Sequence, residues 1–145
     1  MEFLRQYWYI AVVVVVMVLY YILYFVTYRK MQSKSKDWFA NNKDAAKVMI
    51  DLNSGVVTSS KIYILSVDGE KPIIEINKNK QVLGLLPGTH VIESKFSYTR
   101  PGVIHRNVTK TWGPSKQEVT VEANKTYNYY FDKDQERYFF EEITV

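Results

Sequence analysis

The sequence predicts a single N-terminal transmembrane α-helix followed by an all-β antiparallel sandwich or small barrel. Three observations carry this. Residues 6–28 contain no charged side chain. From residue 46 onward, short β-branched or alternating runs recur at about 8–12-residue spacing. Turn signals such as Asp68-Gly69, Pro87-Gly88 and Pro101-Gly102 separate those runs. A chain of 145 residues has room for one such domain and its anchor. The boundaries read as an anchor over 1–28, a basic linker over 29–45 and a β-sandwich domain over 46–145.

The charge-free run YWYIAVVVVVMVLYYILYFVTY (7–28) is long enough to cross the ~30 Å hydrocarbon core as a helix of about 20 residues. Trp8 at one end and Tyr28 at the other suit the two membrane interfaces, with Arg29 and Lys30 following in the headgroup layer. A cleaved signal peptide would have a shorter apolar run and a small-residue cleavage site after it, and Thr27-Tyr28-Arg29-Lys30 provides none. Tyr20, Tyr24 and Tyr28 fall at i, i+4, i+8 and share one helix face. That stripe is a candidate helix–helix contact, with a second copy or with another membrane protein, because a phenol in hydrocarbon gains from a hydrogen-bond partner.

Charge is distributed unevenly. The chain holds 19 Lys and Arg against 15 Asp and Glu. Outside Glu2, Arg5, Arg29, Lys30, Lys34 and Lys36 the two signs balance, 14 against 14 over residues 37–145. The excess of positive charge therefore flanks the apolar run and points to membrane lipid, not to nucleic acid. Only Arg5 precedes the run, whereas four cations follow it closely, a bias that places the C-terminal domain in the cytoplasm. Two N-x-[ST] sequons, at Asn107 and Asn124, point the other way. The absence of cysteine excludes disulfides, a thiol nucleophile and Cys-ligated zinc.

The strands are expected at 46–52, 61–67, 71–76, 81–86, 90–99, 103–110, 118–123, 126–131 and 137–143. In 90–99, Ile92, Ser94, Phe96 and Tyr98 alternate with polar residues and face one side. Val119, Val121 and Ala123 do the same later. Val67-Asp68-Gly69-Glu70 reads as a tight hairpin turn, Trp112-Gly113-Pro114 as a loop, and Asp132–Glu136 as the tip of a closing hairpin. Tyr63, Phe96, Tyr98, Tyr127, Tyr129, Phe131, Phe139 and Phe140 are the expected aromatic core. In the linker, Trp38 and Phe39 either enter the interface or pack on the domain.

The succession Val67-Asp68-Gly69, Leu86-Pro87-Gly88-Thr89-His90-Val91 and Ala123-Asn124-Lys125-Thr126-Tyr127 resembles PEGA-type and similar small β-sandwich domains of bacterial membrane and envelope accessory proteins. The likeness spans about residues 60–131 and lacks both the PEGA tetrad itself and a lipoprotein cysteine. It implies a non-enzymatic binding module, often outside the cytoplasm, in tension with the charge bias.

Little else suggests catalysis. There is no G-x-S-x-G, phosphate-binding glycine loop, dinucleotide fingerprint or H-E-x-x-H. His90 and His105 lack the spacing of a metal site, and the adjacent Glu141 and Glu142 point to opposite faces of a strand. No cofactor is expected. The candidate partner patch is Tyr98, Arg100, His105, Arg106, Lys110 and Trp112, where cations and aromatics alternate. The expected role is a non-catalytic, membrane-anchored accessory or structural subunit whose domain binds a partner protein. The alternative is an envelope module that reads glycan or cell-wall polymer.

Overall fold

Backbone amides in hydrocarbon have no water to bond, and a helix satisfies them internally. In the computed structural model, which describes residues 7–51, 53–54, 58–77, 80–104 and 106–144, the apolar run is helical. The helix α1 (Trp8–Asn41) does not stop at the basic segment. Residues 29–41 contain neither Pro nor Gly and include good helix formers, so nothing breaks the hydrogen-bond ladder. The helix ends at a pair of asparagines. The Asn42 side-chain amide donates to the Trp38 carbonyl (2.8 Å), as does its backbone N–H (2.9 Å). By length and composition α1 is apolar enough to cross a membrane.

The chain divides into two compact units, Met1–Lys34 and Ser35–Val145. Among its described residues the second contains nine strands: β1 (Ala46–Asp51), β2 (Asn53–Ser54), β3 (Ser59–Val67), β4 (Ile74–Asn77), β5 (Lys80–Leu85), β6 (Gly88–Arg100), β7 (Val108–Val121), β8 (Thr126–Asp132) and β9 (Arg137–Ile143). They form a five-stranded sheet of order β4-β5-β1-β8-β9 and a four-stranded sheet of order β2-β3-β6-β7. The sheets face each other and do not close into a barrel. Val48, Ile50, Leu83, Leu85, Tyr127 and Tyr129 of the first meet Ile62, Ile92, Phe96, Val119 and Val121 of the second in one core. The antiparallel expectation needs one correction: β1 pairs with β8 in parallel, Val48 opposite Tyr127.

Several local expectations change as well. The segment 103–110 enters β7 only at Val108. Trp112-Gly113-Pro114 is not a loop. It lies within β7, where the register against β6 shifts between Ser94 and Phe96. Gly113 has a φ of 95°, and a Cβ there would come within 3.0 Å of the Ser94 carbonyl oxygen, so glycine suits this bulge. Ala123 sits in an exposed turn, not on the inward face. Tyr63 leaves the expected core. It is 40% exposed on the outer face of its sheet, with the ammonium groups of Lys61 and Lys95 over its ring at 4.9 and 5.3 Å. Phe139 pairs with Tyr130 instead, ring centroids 5.3 Å apart.

Asp68-Gly69 does form a tight two-residue turn, with both φ values positive (53° and 81°), yet it does not join sheet neighbours. β3 and β4 belong to different sheets, so the turn hands the chain across the sandwich. Asp68 holds it to β6. Its carboxylate accepts from the Val91 N–H (2.8 Å) and meets His90 Nδ1 at 2.6 Å, while His90 Nε2 lies 2.7 Å from the Leu86 carbonyl. The His90 bond, then the Val91 amide, keep the Asp68 carboxyl below its ordinary pKa. A carboxyl depressed in the folded state adds stability above the unfolded Asp value and loses it as pH falls toward the folded one. Between about pH 5 and pH 3 the wild-type melting temperature should therefore fall more than that of Asp68→Asn. Parallel curves in a melting series would remove Asp68 from the acid response.

Trp38 and Phe39 pack on the domain. Their rings meet edge to face (5.2 Å, 87°) on Gly84 of β5. A Cβ at Gly84 would overlap the Trp38 ring and lie 2.8 Å from Phe39. The compact unit therefore begins at Ser35, ahead of the first strand. Fragments 35–145 and 46–145 should both give β-rich circular dichroism, and the shorter should melt several degrees lower, at about 4–8 °C per kcal/mol lost. Equal melting temperatures would mean that the aromatic pair adds nothing.

Candidate interaction site

β6 and β7 form a long hairpin, and its far end brings the predicted patch together. Tyr98 stands opposite Lys110, Arg100 opposite Val108 and Phe96 opposite Trp112. The indole of Trp112 rests on Phe96 (5.5 Å) and on Phe131 of β8 (5.4 Å), which anchors the patch to both sheets. The β8–β9 turn then closes one side. Tyr98, Arg100, Val108, Lys110 and Trp112, with Lys133, Asp134 and Glu136 from that turn, line a cleft of about 370 Å³.

The turn is held by Asp132, whose carboxylate accepts from the backbone N–H of Asp134 (2.8 Å) and of Gln135 (3.2 Å). This is an Asx-type turn. It fixes Glu136, at φ 50°, where Lys110 Nζ reaches its Oε1 at 3.0 Å. The Lys110 bond, then one from the Trp112 side chain, hold the Glu136 carboxyl below the usual carboxylate range. The ammonium group of Lys110 also sits 4.3 Å above the Trp112 ring, and that of Lys133 sits 4.3 Å above Tyr98. Each cation thus lies on the face of a ring, where the quadrupole attracts it.

The structure gathers four of the six predicted patch residues: Tyr98, Arg100, Lys110 and Trp112. Arg106 is exposed on the 101–107 connection and does not line the cleft. His105 lies outside the described residues. Lys133, Asp134 and Glu136 were not foreseen. Their D-x-D-x-E pattern signalled a hairpin tip, but nothing local links that tip to β7. His90 is engaged by Asp68 and Leu86, and no group of three or more potential metal ligands occurs among the described residues.

On α1, Tyr24 and Tyr28 stack at 6.4 Å and 16°, and Tyr20 lies on the same exposed face. The Arg29 guanidinium covers the Phe25 ring at 4.6 Å, and Gln32 donates to the Tyr28 hydroxyl at 3.5 Å. Trp8 and Lys30 are exposed.

No protein-family model, curated protein or solved structure matches this chain.

Proposed function

We propose that the protein is a non-catalytic, single-pass membrane accessory subunit whose β domain engages a partner protein through the cleft between the β6–β7 hairpin and the β8–β9 turn. The observation that carries this reading is the character of the cleft. On an open surface it gathers Tyr98, Trp112 and Arg100, residue types enriched at protein interfaces, inside a rim of Lys, Asp and Glu. The glycan alternative fits less well. A sugar ring stacks on a bare aromatic face, and here Lys110 and Lys133 each cover one face of Trp112 and Tyr98.

In the same proposal, α1 spans the bilayer with Trp8 and Tyr28 at the interfaces, and the Tyr20, Tyr24, Tyr28 face touches another helix. The charge bias places the domain in the cytoplasm, and the likeness to envelope sandwich domains supports the opposite side. Protease accessibility of a C-terminal tag in intact against lysed cells decides between them.

The partner reading is tested by co-purification in mild detergent. The paired charge reversal Arg100→Glu and Lys133→Glu should weaken recovery of the partner about tenfold or more while leaving the melting temperature unchanged. Full recovery with both reversals in place would rule out the cleft as the interface. Substituting Leu at Tyr20, Tyr24 and Tyr28 should weaken recovery independently if the helix contributes.

A further inference from the structure

Residues 37–145 are neutral as a whole, but the distal part of the β6–β7 hairpin is not. Residues 94–117 carry Lys95, Arg100, Arg106, Lys110 and Lys116 and no acidic residue. At the tip, between Arg100 and Arg106, stand Val103 and Ile104. Their relative exposures of 103% and 91% are far above that of any other exposed large hydrophobic residue of the β domain among those described. Two consecutive branched aliphatic side chains held fully in water are unusual for a folded domain, whose exposed apolar residues are normally scattered. Neither Arg100 nor Arg106 makes an ion pair among the described residues.

An apolar tip flanked by two arginines that form no ion pair among the described residues matches one kind of surface in both respects. Acyl chains accept Val103 and Ile104, while the headgroup phosphates just outside accept the guanidinium groups. A hydrophobic pocket on a protein would satisfy the aliphatic pair, but it gives no reason for an acid-free stretch on both strands of the hairpin. We infer that the β6–β7 tip is a second membrane-binding element, separate from α1, which inserts Val103 and Ile104 into an anionic lipid surface. This goes beyond the partner cleft and does not depend on it.

The natural absence of cysteine makes the test direct. The full chain carrying Val103→Cys, labelled with an environment-sensitive nitrobenzoxadiazole dye, is reconstituted into vesicles of phosphatidylcholine alone or with about 30% phosphatidylserine. Lys71→Cys, at an exposed position outside the hairpin, is the control. On anionic vesicles the dye at 103 should shift to the blue and be quenched by doxyl-labelled lipid. The control should do neither. Raising the salt to about 1 M, or adding Arg100→Gln with Arg106→Gln, should reduce the inserted fraction about tenfold, since both remove the electrostatic share.

Identical water-like emission in both vesicle types would overturn the proposal. So would a shift equal in neutral and anionic lipid and insensitive to salt. A dye that stays wet on anionic vesicles, but turns apolar in native membranes containing other proteins, would assign the tip to a protein pocket instead.

Discussion

Tyr129→Ala is expected to abolish cooperative folding of the β domain. Tyr129 is the largest fully buried side chain, 1% exposed at the centre of the core. Its ring stacks on Tyr138 (5.3 Å, 7°), and its hydroxyl lies 2.7 Å from Ser94 Oγ, which is itself wholly buried. Truncation leaves a ring-sized void and a serine without that bond. Large aromatic deletions cost about 3–5 kcal/mol before the stranded hydroxyl is counted. A domain near the lower end of the usual range of about 5–15 kcal/mol has little left after such a loss. Loss of the near-ultraviolet dichroism and of a sharp melting transition would register it. A variant that melts within a few degrees of wild type would contradict the packing described.

Graded variants separate the contributions. Tyr129→Phe keeps the ring and removes the bond to Ser94, at a cost of about 1–3 kcal/mol. Adding Ser94→Ala should recover part of that loss, because the pair is then replaced by apolar groups of similar shape. Burial pushes the Tyr129 phenol far above its ordinary value. A group raised in the folded state adds stability below its unfolded pKa and loses it as pH rises toward the folded one. Wild type should therefore weaken above about pH 10 more than Tyr129→Phe does.

The second large effect is expected at Gly84. Gly84→Val drives a branched side chain into the space held by Trp38 and Phe39. Because the strand carries Leu83 and Leu85 on its inner face, β5 cannot retreat without disturbing the core. The helix end must move instead, and the overpacking should cost about 1–3 kcal/mol. Limited proteolysis of the full chain in detergent micelles should then cut faster between residues 38 and 46. Gly84→Ala should show a smaller change in the same direction. Unchanged cleavage in both would mean that the aromatic pair does not hold the helix end.

What the sequence made legible follows from where each signal is stored. Period-2 patterns are local, so of the inward set Ile92, Ser94, Phe96 and Tyr98 the first three are buried as read, while Tyr98, near the hairpin end, is half-buried. Asp68-Gly69 was also readable as a turn, because its positive φ values are a property of the two residues themselves. That β3 and β4 part into different sheets was not readable, since strand order depends on contacts distant in sequence. Gly113-Pro114 misled for a related reason. The pair usually breaks a strand, but β7 is a sheet edge, where a missing N–H and a bulge are tolerated. The basic linker read over 29–45 is helical as far as Asn41, because its polar composition suits a tether and a helix alike and it carries no Pro or Gly to stop the ladder. In the cleft, Tyr98, Arg100, Lys110 and Trp112 were legible as neighbours on one hairpin, and Glu136 was not, because its link to Lys110 is purely tertiary.

The parallel pairing of β1 with β8 has a consequence for biogenesis. β1 lies at the middle of its sheet, and one of its two neighbours is more than seventy residues downstream. As the chain emerges during translation, β1 can take up β5 early but must wait for residues 126–132 before its other side is covered. Until then Val48 and Ile50 border an open strand edge, the surface on which growing chains aggregate or recruit holding factors. Such long-range closure is slow relative to local hairpin formation. A ribosome that stalls before residue 126 would release a chain with a complete apolar helix and an unfinished sheet, a species that quality control has reason to recognise.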